Sequence, residues 1–309
     1  MNRHPCTCTR LLVRAALLCG VTAVAAPLAS SQGAPGGPAP TWTQMQVSQG
    51  WATAKLQKSP RHQEWVQITK GSRALKAWVE YPEARKAPVV LVLHEVFGLT
   101  DSTRNTADQI SAMGFVVVVP DMLSGLAANG GGTSEFPDSR TASGTLTGLE
   151  DSFVNADLDT WADYAARMPR SNGKLAIVGL SWGGGAAFRY ASTPRPDVKA
   201  VFVFYDVGPP TVTQGPGRGL GTGSFPVAGI RVPVHGFYPD KDARVMGSLE
   251  ATKAAMAAAG KSFDAVIYPG AEHAYMRVGE DPDDHNPANA SAVNESLARL
   301  KKQLGEVLR

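Results

Sequence analysis

The chain has 309 residues, 43% of them hydrophobic, and its 30 basic and 27 acidic side chains leave a formal net charge of +3. So small a charge gives no electrostatic reason to expect binding to nucleic acid or to an anionic membrane surface. The length suits one large α/β domain or two smaller ones, and the sequence contains no internal repeat.

The first 25 residues have the features of a secretory signal peptide. Arg3, Arg10 and Arg14 form a basic start, residues 15–26 are apolar, and Ala23-Val24-Ala25 fits a cleavage site between small residues. Cleavage there would remove three positive charges and bring the formal charge to zero. We therefore expect an exported protein, periplasmic or extracellular.

All three cysteines, Cys6, Cys8 and Cys19, lie in this predicted signal peptide, so the mature chain would have neither a thiol nor a disulfide. Cys19 leaves lipidation open, although Leu18 before it is bulky where a small residue is expected. No later segment approaches about 20 consecutive apolar residues, so we expect no stable membrane insertion.

A flexible segment is predicted for residues 26–60, because Pro, Gly, Ala and Ser are frequent between residues 30 and 41. Residues 61–309 are predicted to form a single domain. Its first two strands, residues 64–69 and 75–81, alternate polar and apolar side chains, as an exposed antiparallel edge would.

Short runs of consecutive apolar residues follow, and these are typical of strands buried on both faces of a parallel sheet. The runs are residues 89–93, 115–119, 175–178, 201–204 and 232–235. Segments with helical character alternate with them: residues 101–113, 151–168, 184–191, 246–259 and 287–308. The alternation predicts an α/β fold, a mostly parallel doubly wound sheet with helices on both faces.

Two stretches rich in Gly, Ser, Thr and Pro interrupt this pattern, residues 124–148 and 208–229. Each leaves the carboxyl end of a predicted strand, the edge at which open α/β sheets bind ligands. They are candidate access loops, and ordinary surface insertion is the alternative.

The motif Gly179-Leu180-Ser181-Trp182-Gly183 follows an apolar strand and precedes a helical segment. A serine in this G-x-S-x-G context occupies a strained turn, and the flanking glycines let strand and helix approach closely. Ser181 is therefore the candidate nucleophile. The alternatives are a glycine-rich turn with an incidental serine, or a phosphate-binding loop.

A serine nucleophile needs a base, itself oriented by an acid, and in this strand–turn–helix context the acid and then the histidine follow in the chain. His273 lies in a loop after the predicted strand at residues 263–268. Asp240 and Asp242 both follow an earlier strand. We prefer Asp242, which leads directly into a helix, whereas Asp240 follows Pro239 and is typical of a turn.

From about Glu64 onward the chain resembles the dienelactone hydrolase family of α/β-hydrolases. The matching segments are LHEVFG at 93–98, Pro120-Asp121, GLSWGGG at 179–185, Gly236, DARV at 242–245, GAEHAY at 270–275 and NPAN at 286–289. The resemblance implies an α/β-hydrolase fold and a Ser181–His273–Asp242 triad. It also implies an oxyanion hole formed by the backbone N–H groups of Trp182 and Val96.

Two departures from the family pattern affect this expectation. The founding members use a cysteine where this chain has Ser181, and a glutamate that matches Glu95 controls the protonation of that thiol. With a serine nucleophile, Glu95 is expected instead to hold His94, the nucleophile or a substrate, or to be satisfied by a neighbouring loop. Two arginines hold the substrate carboxylate in the family; Arg277 matches one, but Gly125 stands at the other position.

No metal or cofactor is expected. Residues 280–284 are acidic but lack the glycine and distal glutamate of a calcium loop, so we expect a solvated loop. His94 and His285 have no Cys or His neighbour at zinc-ligand spacing. The sequence thus predicts a serine hydrolase acting on a small-molecule ester or lactone. A carboxylesterase without carboxylate preference and a non-catalytic binding module are the alternatives.

Overall fold

The computed structural model of the protein describes residues 49–206 and 227–308. The predicted signal peptide, Cys19 and most of the stretch at residues 208–229 lie outside them. In the described ranges, no helix combines the length and the apolar character needed to cross a bilayer.

Eight strands of the described residues form one sheet. They are β1 (His62–Lys70), β2 (Arg73–Tyr81), β3 (Ala87–Leu93), β4 (Val116–Pro120), β5 (Ser171–Leu180), β6 (Val198–Phe204), β7 (Val234–Pro239) and β8 (Phe263–Tyr268). Their order across the sheet is β1-β2-β4-β3-β5-β6-β7-β8. Strand β2 is antiparallel to β1 and β4, and the other neighbouring pairs are parallel. The predicted mostly parallel sheet is confirmed.

The apolar runs form the buried centre of this sheet. All residues from Val89 to Leu93 and from Val116 to Val119 are fully buried, because helices cover both faces. Of the first two strands, both predicted to form an exposed edge of the sheet, only β1 lies at the edge. Strand β2 is internal, since β4 pairs with its other side, and Val79 and Glu80 are fully buried.

The helices are α1 (Gly50–Gln57), α2 (Asp101–Ala112), α3 (Ser139–Thr147), α4 (Asp151–Arg167), α5 (Trp182–Tyr190), α6 (Ala243–Ala258), α7 (Tyr275–Val278) and α8 (Pro287–Leu308). Side chains of α2 and α8 pack in one apolar cluster, and those of α3, α4 and α5 pack in another. The five predicted helices are therefore present, with ends shifted by at most three residues.

Helix α1 lies in the segment, residues 26–60, for which flexibility is predicted, and the structure corrects that prediction for residues 50–57. Only Ala52 and Leu56 of α1 are buried, and they lie four residues apart on one face of the helix. Contacts with α2 hold the helix: the Thr53 hydroxyl donates to the Asp101 carboxylate at 2.5 Å.

The stretch at residues 124–148 is a packed part of the domain. It contains a 3₁₀ turn, Thr133–Glu135, and helix α3. Phe136, Ala142 and Leu146 from this stretch are buried in the same apolar cluster as α4 and α5.

Candidate active site

Ser181 lies in the sharp turn between β5 and α5. Its backbone has φ 50° and ψ −117°, a conformation that non-glycine residues rarely adopt. A Cβ at Gly179 would lie 2.1 Å from the carbonyl oxygen of Gly183, and one at Gly183 would lie 2.4 Å from that of Leu93. Both positions therefore require glycine, and the close approach explains why the turn can place the serine at the carboxyl ends of the strands.

Three loops bring Ser181, His273 and Asp242 together. Ser181 follows β5, Asp242 follows β7 and is the N-cap of α6, and His273 follows β8. The Ser181 hydroxyl lies 3.0 Å from His273 Nε2, and His273 Nδ1 lies 2.5 Å from Asp242 Oδ2. The three side chains thus form one hydrogen-bonded chain, in the order that nucleophilic catalysis by serine requires.

The two candidate acids have different partners. Asp242 accepts from His273, and its other oxygen accepts from the backbone N–H of Val245 at 3.1 Å. Asp240 accepts instead from the backbone N–H of Gly270 at 2.6 Å, as expected for a turn residue. The geometry therefore favours Asp242 as the residue that orients the imidazole.

The charge on Asp242 is stabilised although its side chain is only 7% exposed. Burial alone would raise the pKa of this carboxyl, but the hydrogen bond from His273 and the charges of His273 and Arg244 hold the pKa below its usual value. The Arg244 guanidinium lies 3.8 Å from Asp242 Oδ2. Asp242 is therefore an ionised acceptor at neutral pH.

Two backbone N–H groups are available where an oxyanion hole is predicted. Trp182 is the first residue of α5, where helix geometry leaves the N–H without a partner in the helix. Val96 lies in a turn after β3 that is closed by the N–H of Gly98, which donates to the Glu95 carbonyl at 3.1 Å. Among the described residues, no backbone carbonyl accepts from either Trp182 or Val96.

His94 is buried and bonded to backbone on both sides of its ring. Its Nδ1 lies 2.8 Å from the Glu95 carbonyl, and its Nε2 accepts from the Met122 N–H at 3.1 Å. Burial lowers the pKa of His94, so the ring stays neutral. The ring also stacks on Trp182, with centroids 5.9 Å apart. His94 therefore fixes the loop that carries Val96 and has no free nitrogen for a substrate.

Glu95 is held by one side chain from α7 and one from the segment that follows β6. Its carboxylate accepts from Arg277 Nε at 3.0 Å and from the Tyr205 hydroxyl at 3.1 Å. The charge of Glu95 raises the pKa of Arg277. Of the roles considered for Glu95, the observed contacts fit a carboxylate satisfied by neighbouring loops, and part of the positive charge of Arg277 is neutralised.

Tyr205 was not predicted from the sequence. It follows β6, is fully buried and has φ 40°, and its ring lies edge-on to that of His273 with centroids 5.3 Å apart. Together with its bond to Glu95, this contact connects His273 to the loop after β3. A tyrosine after a buried strand gives no signal of such a role in the sequence.

One carboxylate of the acidic loop, Glu280, is not solvated as predicted, whereas Asp283 is exposed. The Glu280 side chain is 7% exposed and accepts from Lys55 at 2.6 Å, from Asn105 at 2.9 Å and from Gln109. Three donors from α1 and α2 therefore replace the water expected around this carboxylate. In the described part of the chain, no three His, Cys, Asp or Glu side chains lie close enough together to hold one metal ion.

A groove of about 550 Å³ lies away from Ser181, between β1, β2 and the end of α4. Its lining includes Tyr81, the last residue of the antiparallel strand β2, and Arg170, which precedes β5. This region is at the amino-terminal edge of the parallel strands, and ligands of open α/β sheets bind at the opposite edge. The polar residues around Ser181, and not this groove, define the candidate active site.

The order of the strands, the antiparallel β2 and the serine turn after β5 define an α/β-hydrolase. The model of the dienelactone hydrolase family matches residues 75–308. The chain belongs to the dienelactone hydrolase family, and its resemblance to that family is confirmed.

Relatives and solved structures agree with this assignment. Two relatives named "Putative carboxymethylenebutenolidase" are each 31% identical to this chain. The one from Salmonella typhi aligns over 195 residues, 61% of this chain and 67% of its own length. The one from Escherichia coli O157:H7 aligns over 219 residues, 69% of this chain and 74% of its own length. The crystal structure of a "Putative Dienelactone Hydrolase" from Klebsiella pneumoniae is 25% identical with a TM-score of 0.62, and covers 77% of this chain and 97% of its own.

Proposed function

We propose that this hydrolase cleaves carboxylic esters or lactones through an acyl-enzyme formed on Ser181. The observation that carries the proposal is the hydrogen-bonded chain from Ser181 through His273 to Asp242. It lies at the carboxyl ends of the parallel strands, where this fold class binds its ligands.

In the proposed reaction, His273 Nε2 takes the proton of the Ser181 hydroxyl as Oγ attacks the carbonyl carbon of the substrate. The oxygen that becomes negative accepts hydrogen bonds from the N–H groups of Val96 and Trp182. His273 then gives its proton to the leaving alkoxide. A water molecule then gives a proton to the same imidazole and attacks the acyl-enzyme. The bond from the acyl carbon to Ser181 Oγ breaks, Oγ takes the proton back from His273, and the acid is released. Asp242 stays ionised and stabilises the imidazolium.

A second candidate is a carboxylesterase that does not prefer substrates with a carboxylate. Its supporting observation is the ion pair between Arg277 and Glu95, at 3.0 Å, which leaves little net charge to attract an anionic substrate. Gly125 provides no second arginine. A bidentate pair of arginines would supply both orientation and charge, and this chain has only one of them, already paired.

The serine mechanism is tested with a fluorophosphonate probe followed by mass spectrometry of the labelled peptides. We expect one adduct on Ser181 and loss of esterase activity in Ser181→Ala. Ser192→Ala is the matched control, because Ser192 lies two residues after the end of α5 and its hydroxyl donates to the Arg189 carbonyl. Labelling that persists in Ser181→Ala would reject the assignment, and a wild type that neither reacts nor hydrolyses esters would favour a binding module.

A further inference from the structure

The loop from His94 to Leu99 carries the Val96 N–H, and each of its ends is bonded to a residue that follows β4 in the chain. At the start of the loop, His94 Nε2 accepts from the N–H of Met122 at 3.1 Å. At its end, the N–H of Leu99 donates to the Thr133 hydroxyl at 3.0 Å. Thr133 comes from the insertion at residues 124–148, outside every motif used to assign the reaction.

Thr133 is in turn fixed by Asp121, the neighbour of Met122. The Thr133 hydroxyl donates to Asp121 Oδ1 at 2.6 Å, and the Thr133 N–H donates to Asp121 Oδ2 at 2.7 Å. Asp121 also accepts from the N–H of Leu123 at 3.1 Å. The Thr133 side chain therefore has one acceptor and one donor, both within the protein, and it has no remaining hydroxyl proton for a substrate.

Packing at this contact leaves little room for movement. Gly98 has φ 88°, and a Cβ placed on it would lie 2.3 Å from the Thr133 hydroxyl oxygen. Thr133 is 4% exposed and Asp121 is 5% exposed, so water does not readily replace either hydrogen bond. The end of the loop is thus held by one buried hydroxyl.

We propose that Thr133 is a positioning residue for the oxyanion hole: through Leu99 it fixes the place of the Val96 N–H relative to Ser181. The inference rests on the proposed function. It assigns to the insertion a part in transition-state stabilisation, instead of a part in access to the site.

The expected effect follows from what oxyanion-hole donors contribute. Removing one donor outright lowers kcat by about 10²–10³-fold. Displacing a reacting or binding group by about 1 Å costs up to about 10²-fold. Thr133→Val keeps the shape of the side chain but leaves the Leu99 N–H without a partner, and it removes one of the two hydrogen bonds to Asp121 Oδ1. We therefore expect kcat to fall by about 10- to 100-fold, with KM nearly unchanged, because a donor used in the transition state is lost.

The experiment compares Thr133→Val and Thr133→Ser with Thr145→Val. Serine restores the hydroxyl without the methyl group. Thr145 is the control because it lies in the same insertion, where its hydroxyl donates to the Thr141 carbonyl on an exposed helix face. Hydrolysis of p-nitrophenyl acetate gives kcat and KM. Inhibition by phenylboronic acid, which forms a tetrahedral adduct with the nucleophile, reports on the oxyanion hole, and thermal unfolding reports on stability.

The proposal is supported if Thr133→Val lowers kcat and weakens inhibition by phenylboronic acid by similar factors. Thr133→Ser and Thr145→Val should match the wild type in both measurements. It is overturned if Thr133→Val keeps the wild-type kcat, or if Thr133→Ser loses as much activity as the valine variant. If Thr133→Val does not fold, Thr133→Ala, which also lacks the hydroxyl, takes its place in the comparison with Thr133→Ser. Failure of the proposed function gives a different result, an inactive wild type or an active Ser181→Ala.

Discussion

The substitution Asp242→Asn tests the electrostatics of the proposed triad with almost no change of shape. Asp242 Oδ1 accepts from the N–H of Val245 at 3.1 Å, so the introduced amide is expected to keep its oxygen on that side. Its NH₂ group then faces His273 Nδ1, which must become an acceptor. The ring proton moves to Nε2, the nitrogen that lies 3.0 Å from the Ser181 hydroxyl. In this tautomer His273 cannot accept the proton of Ser181.

The magnitude follows from this change of tautomer. A triad with intact geometry and the wrong tautomer loses about 10⁴-fold in kcat. At roughly 1.4 kcal/mol per tenfold change, the barrier rises by about 5 kcal/mol. Asp240→Asn is the matched control, because an amide oxygen can still accept from the Gly270 N–H as the carboxylate does. We expect it to change kcat by less than about twofold, as is usual for a substitution that keeps its hydrogen bond.

The assay is hydrolysis of p-nitrophenyl acetate, with pre-steady-state kinetics to separate acylation from deacylation. Asp242→Asn is expected to slow both steps, because His273 acts as a base in each. The reasoning would be refuted if Asp240→Asn lost more activity than Asp242→Asn, or if Asp242→Asn kept wild-type kcat. Either result would mean that the 2.5 Å contact between Asp242 and His273 does not set the tautomer.

Two further substitutions test charge and stability. Arg277→Ala is expected to lower kcat/KM for anionic lactones and for neutral isosteres by similar factors, because Glu95 already neutralises the arginine. A loss of at least about tenfold for the anionic substrate alone, the size of one charge-assisted hydrogen bond, would instead support carboxylate binding. Burial raises the pKa of Glu80 from 4.5 to about 8. Between those values the folded state holds one proton more than the unfolded state, so stability falls as pH rises, by up to about 1.4 kcal/mol per pH unit. Glu80→Gln, which mimics the protonated form, should show a shallower fall in unfolding midpoint from pH 5 to 8, and an equal slope in both proteins would contradict the assignment.

The sequence predicts those features of the site that depend on the fold class. A buried strand followed by G-x-S-x-G fixes the turn at Ser181, since only glycine fits at Gly179 and Gly183. The apolar runs place the carboxyl ends of the strands, and the order of acid and histidine along the chain follows from the fold. The structure brings Ser181, His273 and Asp242 into hydrogen-bond contact, and their catalytic roles stay a prediction.

Partners of individual polar side chains are not readable from the sequence. Asp240 and Asp242 follow the same strand, and only the directions of their side chains decide which one meets His273. Thr133 lies in a stretch whose composition is that of a loop, and its contact with Leu99 spans 34 residues. Such contacts depend on tertiary packing, for which residue type and local periodicity carry no information.

Tertiary contacts between polar side chains also change which substrate the site is expected to bind. An arginine beside an acyl site suggests an anionic substrate when it is considered alone. Glu95, 182 residues earlier in the chain, takes the Nε donor of Arg277, and Tyr205 holds the other oxygen of Glu95. The negative charge of Glu95, which is 6% exposed and 3.0 Å from Arg277 Nε, offsets the positive charge of Arg277 and so weakens its attraction for a substrate carboxylate. The ion pair therefore works against carboxylate selectivity, which is why neutral esters are the more informative first substrates.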